Sequence, residues 1–378
     1  MRHLVLITTS YPDGAPGSEA AGSFVADFAR ALAGRLRVTV LAASSRDARE
    51  VDGSLTVRRF AVPRLPLSLL QASRPGDWLP IYRSLRSGSR ALEELVANDR
   101  PDHILALWAL PGGYWANRAG RRHKLPYSVW VLGSDIWTLG RIPLLRRTLS
   151  HVLRRADYCY ADGLMLASDV ERLAERACGF LPSTRRLPPP QINAVASTSP
   201  YKLAFLGRWH ENKGVDLLLD ALCRLTAADW HGINEVRICG GGPLESAVCE
   251  AVRSLQDAQR PVTLGGYLGK QGAADLIGWA DYLLLPSRIE SIPVVFSDAI
   301  QLATPVIATP VGDLPRLYRE VGFGTLASAA TAAAFADALR AGLAQDASGF
   351  AARLESARKY FDLDRSAKRL LADIETNP

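Results

Sequence analysis

KLAFLGRWHENKGVDLLLDAL, residues 202–222, changes its period part-way along. KLAFLGR is an apolar run of strand length, and GVDLLLDAL spaces its apolar residues for one face of a helix. Gly207 and Gly214 let the backbone turn tightly between the two, and the loop they bound carries Arg208 and Lys213. A strand that ends in a short loop and passes into a helix is half of a βαβ unit, which implies a parallel sheet. Ligands of such sheets sit beyond the carboxyl ends of the strands. Two cations at a helix entrance there suit a diphosphate, the arginine bidentately and the lysine as a point charge. A solvated loop is the plain alternative.

The same alternation continues downstream. EVRICGGGP (235–243) reads as a strand and a glycine turn, ESAVCEAVRSL (245–255) as a helix, and PVTLGGYL (261–268) and ADYLLLPS (280–287) as strands. After the last of these comes SRIESIPVVFSDAIQLA, residues 287–303. Pro293 fits the first turn of a helix. The free N–H groups near Val294 and Val295 would face the ligand side and favour an anion. Glu290 stands in the loop and Asp298 about a turn and a half into the helix, on an otherwise apolar run. A lone acid there is costly unless it is paired or bonds a ligand hydroxyl; a local cap or salt bridge is the alternative for Asp298.

Upstream, HLVLITTS (3–10), RVTVLAAS (37–44), DHILALW (102–108), YSVWVLGS (127–134) and DYCYADG (157–163) read as strands, with GSFVADFARALAGR (22–35) as a helix. The fold class is α/β, with two doubly wound Rossmann-like domains. The expected boundaries are residues 1–185 for the first domain, a Pro- and Ser-rich linker at 186–200, and 201–355 for the second. RLESARKYFDLDRSAKRLLADIE (353–375) supplies amphipathic C-terminal helices within 356–378 that are expected to pack back on the first domain. A chain of 378 residues is long enough for two such cores.

Net charge is +7 and is spread without a long basic run. That favours anionic partners, phosphates or a lipid surface, and no basic-aromatic motif points to nucleic acid. The five cysteines show neither Cys-x-x-Cys nor zinc spacing, so free thiols in a reducing compartment are expected. The N-terminal apolar stretch is too short for a signal peptide and no run is long enough to span a bilayer. Neither the first βα turn, SYPDGAPGSEAAGSF, nor CGGGP carries a dinucleotide fingerprint or a Walker A motif.

Taken together these motifs resemble glycosyltransferase family 4, the retaining nucleotide-sugar transferases of the GT-B fold, over most of the chain. FLGRWHENKGVDLLLDAL is similar to the donor-diphosphate loop of that family, ICGGGPLE to its glycine turn, SRIESIPVVFSD to its Glu-x7-Glu element and PVIATPVG to the segment that follows. LWALPGGYWA and VLGSDIW resemble its acceptor-side strands. The resemblance implies two domains facing across a cleft. It implies Arg208, Lys213 and Glu290 as the catalytic set, the cations on the leaving diphosphate and Glu290 on the donor sugar. It places Gly207, Gly241, Gly242, Ile292, Pro293, Val294 and Asp298 at the donor, with Asp298 on the ribose, and Gly22, Gly112, Gly113 and Asp135 on the acceptor side. Three positions depart from the family pattern: Leu132 replaces a histidine, Asp298 a glutamate and Asp313 a glycine.

The implied activity is a metal-independent glycosyltransferase with no cofactor. It would move a hexose from a UDP- or GDP-sugar to a saccharide or lipid-linked acceptor in polysaccharide or glycolipid synthesis. Leu132 keeps open a binding protein that has lost the transfer step, and an epimerase on the same fold is a third reading. The helix RIPLLRRTLSHVLRR (141–155) suits either an anionic membrane surface or plain packing on its sheet. The expected location is cytoplasmic, peripheral on the inner face of the membrane.

Overall fold

The computed structural model describes residues 2–14, 18–192 and 194–376, and the side chains at 18–21 and 376 lie outside that description. Contacts divide the chain into two compact units. The first holds residues 2–13, 21–182 and 363–376; the second holds 183–362 and the few residues before 21.

In the first unit, β1 (His3–Thr8), α1 (Ser18–Ala33) and β2 (Arg37–Ser44) open the chain, followed by β3 (Ala48–Asp52), β4 (Leu55–Ala61) and α2 (Trp78–Asn98). Then come β5 (His103–Leu107), α3 (Tyr114–His123), β6 (Tyr127–Val131), α4 (Ser134–Trp137), α5 (Pro143–Arg155), β7 (Tyr158–Ala161), α6 (Leu164–Ala174) and β8 (Cys178–Phe180). The sheet order is β3-β4-β2-β1-β5-β6-β7-β8, and every pairing is parallel except β3 with β4. Central strands buried on both faces read as continuous apolar runs rather than alternating ones, and HLVLIT of β1 is buried at every position. Trp130 on β6 lies under Phe24 and Phe28 of α1, and its indole N–H reaches the Leu181 carbonyl at 2.9 Å.

The second unit runs β9 (Tyr201–Arg208), α7 (Val215–Cys223), α8 (Ala227–His231), β10 (Ile233–Gly241), α9 (Glu245–Asp257), β11 (Val262–Gly265), α10 (Lys270–Trp279) and β12 (Tyr282–Leu285). It continues with α11 (Val294–Leu302), β13 (Val306–Ala308), α12 (Leu314–Val321), β14 (Gly324–Leu326), α13 (Ala332–Leu343) and α14 (Ala351–Ala357). All pairings are parallel, in the order β11-β10-β9-β12-β13-β14. The chain builds outward from β9 on one side and then returns to build on the other. The switch point therefore lies between β9 and β12, the place where doubly wound sheets open a ligand crevice. The last helix, α15 (Leu363–Thr376), belongs to the first unit, where Tyr160 donates to Asp373 at 2.8 Å.

The expected linker is a packed strap. Thr184 and Arg185 already belong to the second unit. Beyond them Gln191 N–H donates to Asp275 and Ala196 N–H to Asp281, at 2.9 and 2.7 Å. Proline and serine set its irregular course, and the two aspartates of the second unit hold it down. The return to the first unit falls after Asp362, a few residues later than the sequence indicated, because Leu354, Ala357 and Phe361 are buried in the second unit.

Candidate active site

Four loops meet beyond the carboxyl ends of β9, β10, β12 and β13. The β9 loop makes a single 3-10 turn at Glu211–Lys213, with the His210 ring accepting from Asn212 N–H. Gly214 follows at φ +69°, and a Cβ there would stand 1.9 Å from the Pro286 carbonyl oxygen. Only glycine allows this loop to lie against the end of β12. Arg288 closes the contact. Its N–H donates to the Asn212 carbonyl, and its guanidinium spans both oxygens of Asp216 at 2.8 and 2.7 Å. Burial works to raise the Asp216 carboxyl, but the Arg288 bonds outweigh it and hold the group below its ordinary value. Arg288 and Asp216 were passed over in the sequence; their only signal is a charge just before Glu290 and another just after Gly214.

This clamp sets Lys213 and Glu290 side by side. They form an ion pair, with 37% of the lysine side chain and 14% of the glutamate still exposed. Arg208 ends β9, is half-exposed, and has no side-chain hydrogen bond or ion pair among the described residues. Gly312, at φ +55°, brings the β13 loop onto the Glu290 and Ser291 carbonyls, which a Cβ would approach to 2.2 and 2.3 Å. Gly207 pairs with Gly240 in the β9–β10 register, and the Gly241 carbonyl accepts from Trp209 N–H at 2.8 Å. Gly242 follows against Trp209. Gly207, Gly241, Gly242, Arg208, Lys213 and Glu290 thus lie at one end of the second sheet.

Pro293 is the N-cap of α11 rather than its first helical residue, with φ −61° and ψ 137°. The first bonded N–H of the helix is that of Phe296, which donates to the Pro293 carbonyl. The N–H groups of Val294 and Val295, both half-exposed, point from the helix start as anion donors. Ile292 is buried and shapes the loop from behind. Two polar atoms here were not foreseen. Among the described residues the Ser291 hydroxyl and the Trp209 indole N–H are buried and have no hydrogen-bond partner.

Asp298 is the main correction. Its carboxylate is fully buried and takes the Arg185 guanidinium at 2.6–3.1 Å through both oxygens. In this structure its carboxylate is enclosed in the second unit and taken by Arg185, with no exposed face toward a ribose hydroxyl. An aspartate is one methylene shorter than glutamate, and α11 places its carboxylate inside, where the arginine answers the cost of burying a lone charge.

The residues expected on the acceptor side are enclosed in this structure. Asp135 is buried and accepts from Ala109 N–H at 2.6 Å and Ile136 N–H at 3.2 Å. Burial pushes its carboxyl up to about 6 against the pull of those N–H groups. It braces the turn at residues 109–113 rather than lining an open surface. Gly112 and Gly113 are buried in that turn, with no room for a Cβ beside the Leu107 carbonyl and Val152. Gly22 is buried where α1 crosses Tyr11 and Pro12. Leu132, in place of the family histidine, is half-buried after β6. Among the described residues no group of three or more His, Cys, Asp or Glu is placed to hold a metal.

The comparisons with known proteins agree with this fold. The model for "Glycosyl transferase 4-like domain" matches residues 20–190, and that for "Glycosyl transferases group 1" matches 200–345. The chain belongs to the GT-B glycosyltransferases of family 4. A D-inositol 3-phosphate glycosyltransferase of Corynebacterium efficiens is 33% identical over 145 residues, 36% of this chain and 33% of that protein. A Bacillus subtilis glycosyltransferase whose name assigns it to teichuronic acid biosynthesis is 25% identical over 65% of this chain and 62% of its own. The matched stretch is thus about a third of the first relative's length. The structure of Anabaena HepE in complex with UDP-glucose superposes with a TM-score of 0.68 at 14% identity, covering 100% of both chains.

Proposed function

We infer that this glycosyltransferase moves a hexose, with retention at the anomeric carbon and without a metal, from a nucleotide-sugar donor held by the second unit. The acceptor is a saccharide or a lipid-linked sugar. It is taken by the first unit and met by a peripheral protein on the cytoplasmic face of a membrane, in polysaccharide or glycolipid synthesis. The observation that carries the donor half is the grouping at the switch point. Unpartnered Arg208, the Lys213–Glu290 pair and the α11 N–H groups stand together, three kinds of group that answer a diphosphate and a sugar hydroxyl. The UDP-glucose bound by the Anabaena protein supports a UDP-hexose as the first donor to try.

The bond from the anomeric carbon to the β-phosphate oxygen breaks as the acceptor oxygen bonds that carbon on the same face. The acceptor proton passes to the leaving phosphate oxygen. Negative charge grows on the diphosphate, so fixed cations and N–H donors there lower the barrier more than they strengthen ground-state binding. Lys213 and Glu290 neutralise each other as a pair; a bound donor divides them, the lysine to phosphate and the glutamate to sugar.

Arg208→Ala is expected to lower transfer by about 1.5–3 kcal/mol, a factor of roughly 10 to 150, with a smaller change in donor affinity and an unchanged unfolding midpoint. Calorimetry with UDP- and GDP-hexoses, beside a transfer assay in EDTA, reads all of this on one sample. Donor binding without transfer favours the binding-protein reading, and a strict Mg²⁺ requirement removes the metal-free mechanism.

A further inference from the structure

We propose that the amino ends of α2 and α5 form one docking surface for an anionic lipid bilayer. Trp78, Leu79 and Tyr82, on the first turns of α2, are 59, 55 and 58% exposed. Large apolar side chains on one helix start are seldom left so open unless they meet another surface. Around them stand Arg74, Arg83 and Arg86, all exposed. On α5, Leu144 is 72% exposed and Ile142 precedes it, beside exposed Arg146 and Arg147.

Topology puts the two groups on one edge. β4 and β6 are parallel members of one sheet, and each helix follows the carboxyl end of its strand. Both connections step the same way along the sheet, so right-handed crossovers set both helices on the same face, with α3 packed between them. Ligands of doubly wound sheets approach that same edge.

Charge complementarity names the occupant. Residues 63–87 and 139–147, which lead into and open the two helices, hold seven arginines and one acid, Asp77. That acid is spent inside. Asp77 is buried, accepting from Gln71 N–H at 2.9 Å with Arg64 beside it, and so folds the preceding loop onto α2. The Trp78 indole N–H is fixed to the Ala72 carbonyl at 2.8 Å, which leaves its ring face outward. Among the described residues Arg74, Arg83, Arg146 and Arg147 have no ion pair. Amphipathic aromatics set among unpaired arginines suit the headgroup region of an anionic membrane, where each cation adds attraction and the rings enter the interface. No described helix is long and apolar enough to cross a membrane.

Flotation of the full chain with vesicles tests this. Phosphatidylcholine vesicles are compared with vesicles that also contain phosphatidylglycerol, at low and high salt. Binding is expected to the anionic vesicles only, and to fall with salt. Trp78→Ser with Tyr82→Ser, and separately Arg83→Ser with Arg86→Ser, are each expected to lower the partition coefficient about ten-fold, with nucleotide affinity and unfolding midpoint unchanged. No binding, equal binding to neutral vesicles, or variants that bind as the native chain does would overturn the assignment. So would a dimer that forms without lipid and is lost in Trp78→Ser, which would give the surface to a second copy. Vesicle binding is read with neither donor nor acceptor present, so this docking and the membrane-acceptor reading it rests on fail separately.

Discussion

At Asp298 a single methylene separates two roles. The residue keeps the family position for a ribose-binding acid, yet the carboxylate is enclosed and ion-paired with Arg185. Removing one member of a buried pair leaves the other charge uncompensated, at a cost of about 3–5 kcal/mol. Asp298→Asn is therefore expected to lower the unfolding midpoint of the second unit sharply. Replacing Arg185 and Asp298 together by Met and Leu should cost much less, and the folded fraction should bind bare UDP as before. An unchanged midpoint with weakened UDP would return Asp298 to the ribose. Asp135 offers a pH test. Folded, its carboxyl holds a proton to about pH 6; unfolded, it releases it near 3.9. The folded state thus binds more protons between those values, and Asp135 makes stability fall as pH rises from about 4 to about 6, then no further. The full effect is up to about 3 kcal/mol. In Asp135→Asn the difference from the native chain should follow that window in chemical denaturation; a difference independent of pH would refute the shift. Neither partner was legible, since Arg185 lies 113 residues from Asp298. Arg208 and Lys213 were legible because a loop at a strand end is exposed by construction.

At the scale of elements, the alternation of strand and helix could be followed from β9 to β12 and along β1, β2, β5, β6 and β7. Buried parallel strands must be short and apolar, and their crossovers must turn an apolar stripe inward. Local pattern does not reveal the β3–β4 pair, where AREVD is mostly exposed and polar, nor the short strands β13 and β14, whose three residues each leave too little period to count. Proline and serine at 186–200 suit a linker, because they describe only the lack of regular structure. Whether such a stretch floats or lies on a neighbour depends on acceptors such as Asp275 and Asp281, far off in sequence. The helix at 141–155 suits a membrane or a sheet by its pattern, and it packs by one face: Leu149, Val152 and Leu153 are buried, whereas Ile142 and Leu144 are exposed.

At the scale of the whole molecule, the chain passes into the second unit after Pro182 and returns after Asp362. Thr184 marks both crossings. Its hydroxyl donates to the Phe361 carbonyl at 2.9 Å and accepts from Gln301 of α11 at 3.0 Å. Beyond the return, α15 buries Leu363, Ala367, Leu370, Leu371 and Ile374 in the first unit. Burying each of the larger of these contributes roughly 1.5–3 kcal/mol, together comparable with the stability of a whole domain. A chain ending at Asp362 is expected to lose the cooperative unfolding of the first unit while the second retains its transition and UDP affinity. Calorimetry checks this, and a first unit that melts as before would show α15 to be an accessory. Local pattern alone specifies the two parallel sheets and the loops that carry Arg208, Lys213 and Glu290, because period and turn residues act over a few neighbours. That Asp298 is enclosed with Arg185, and that α15 completes the first unit, appears once the chain is folded. Burial and ion pairing join residues that are remote in the chain, and local pattern holds no record of them.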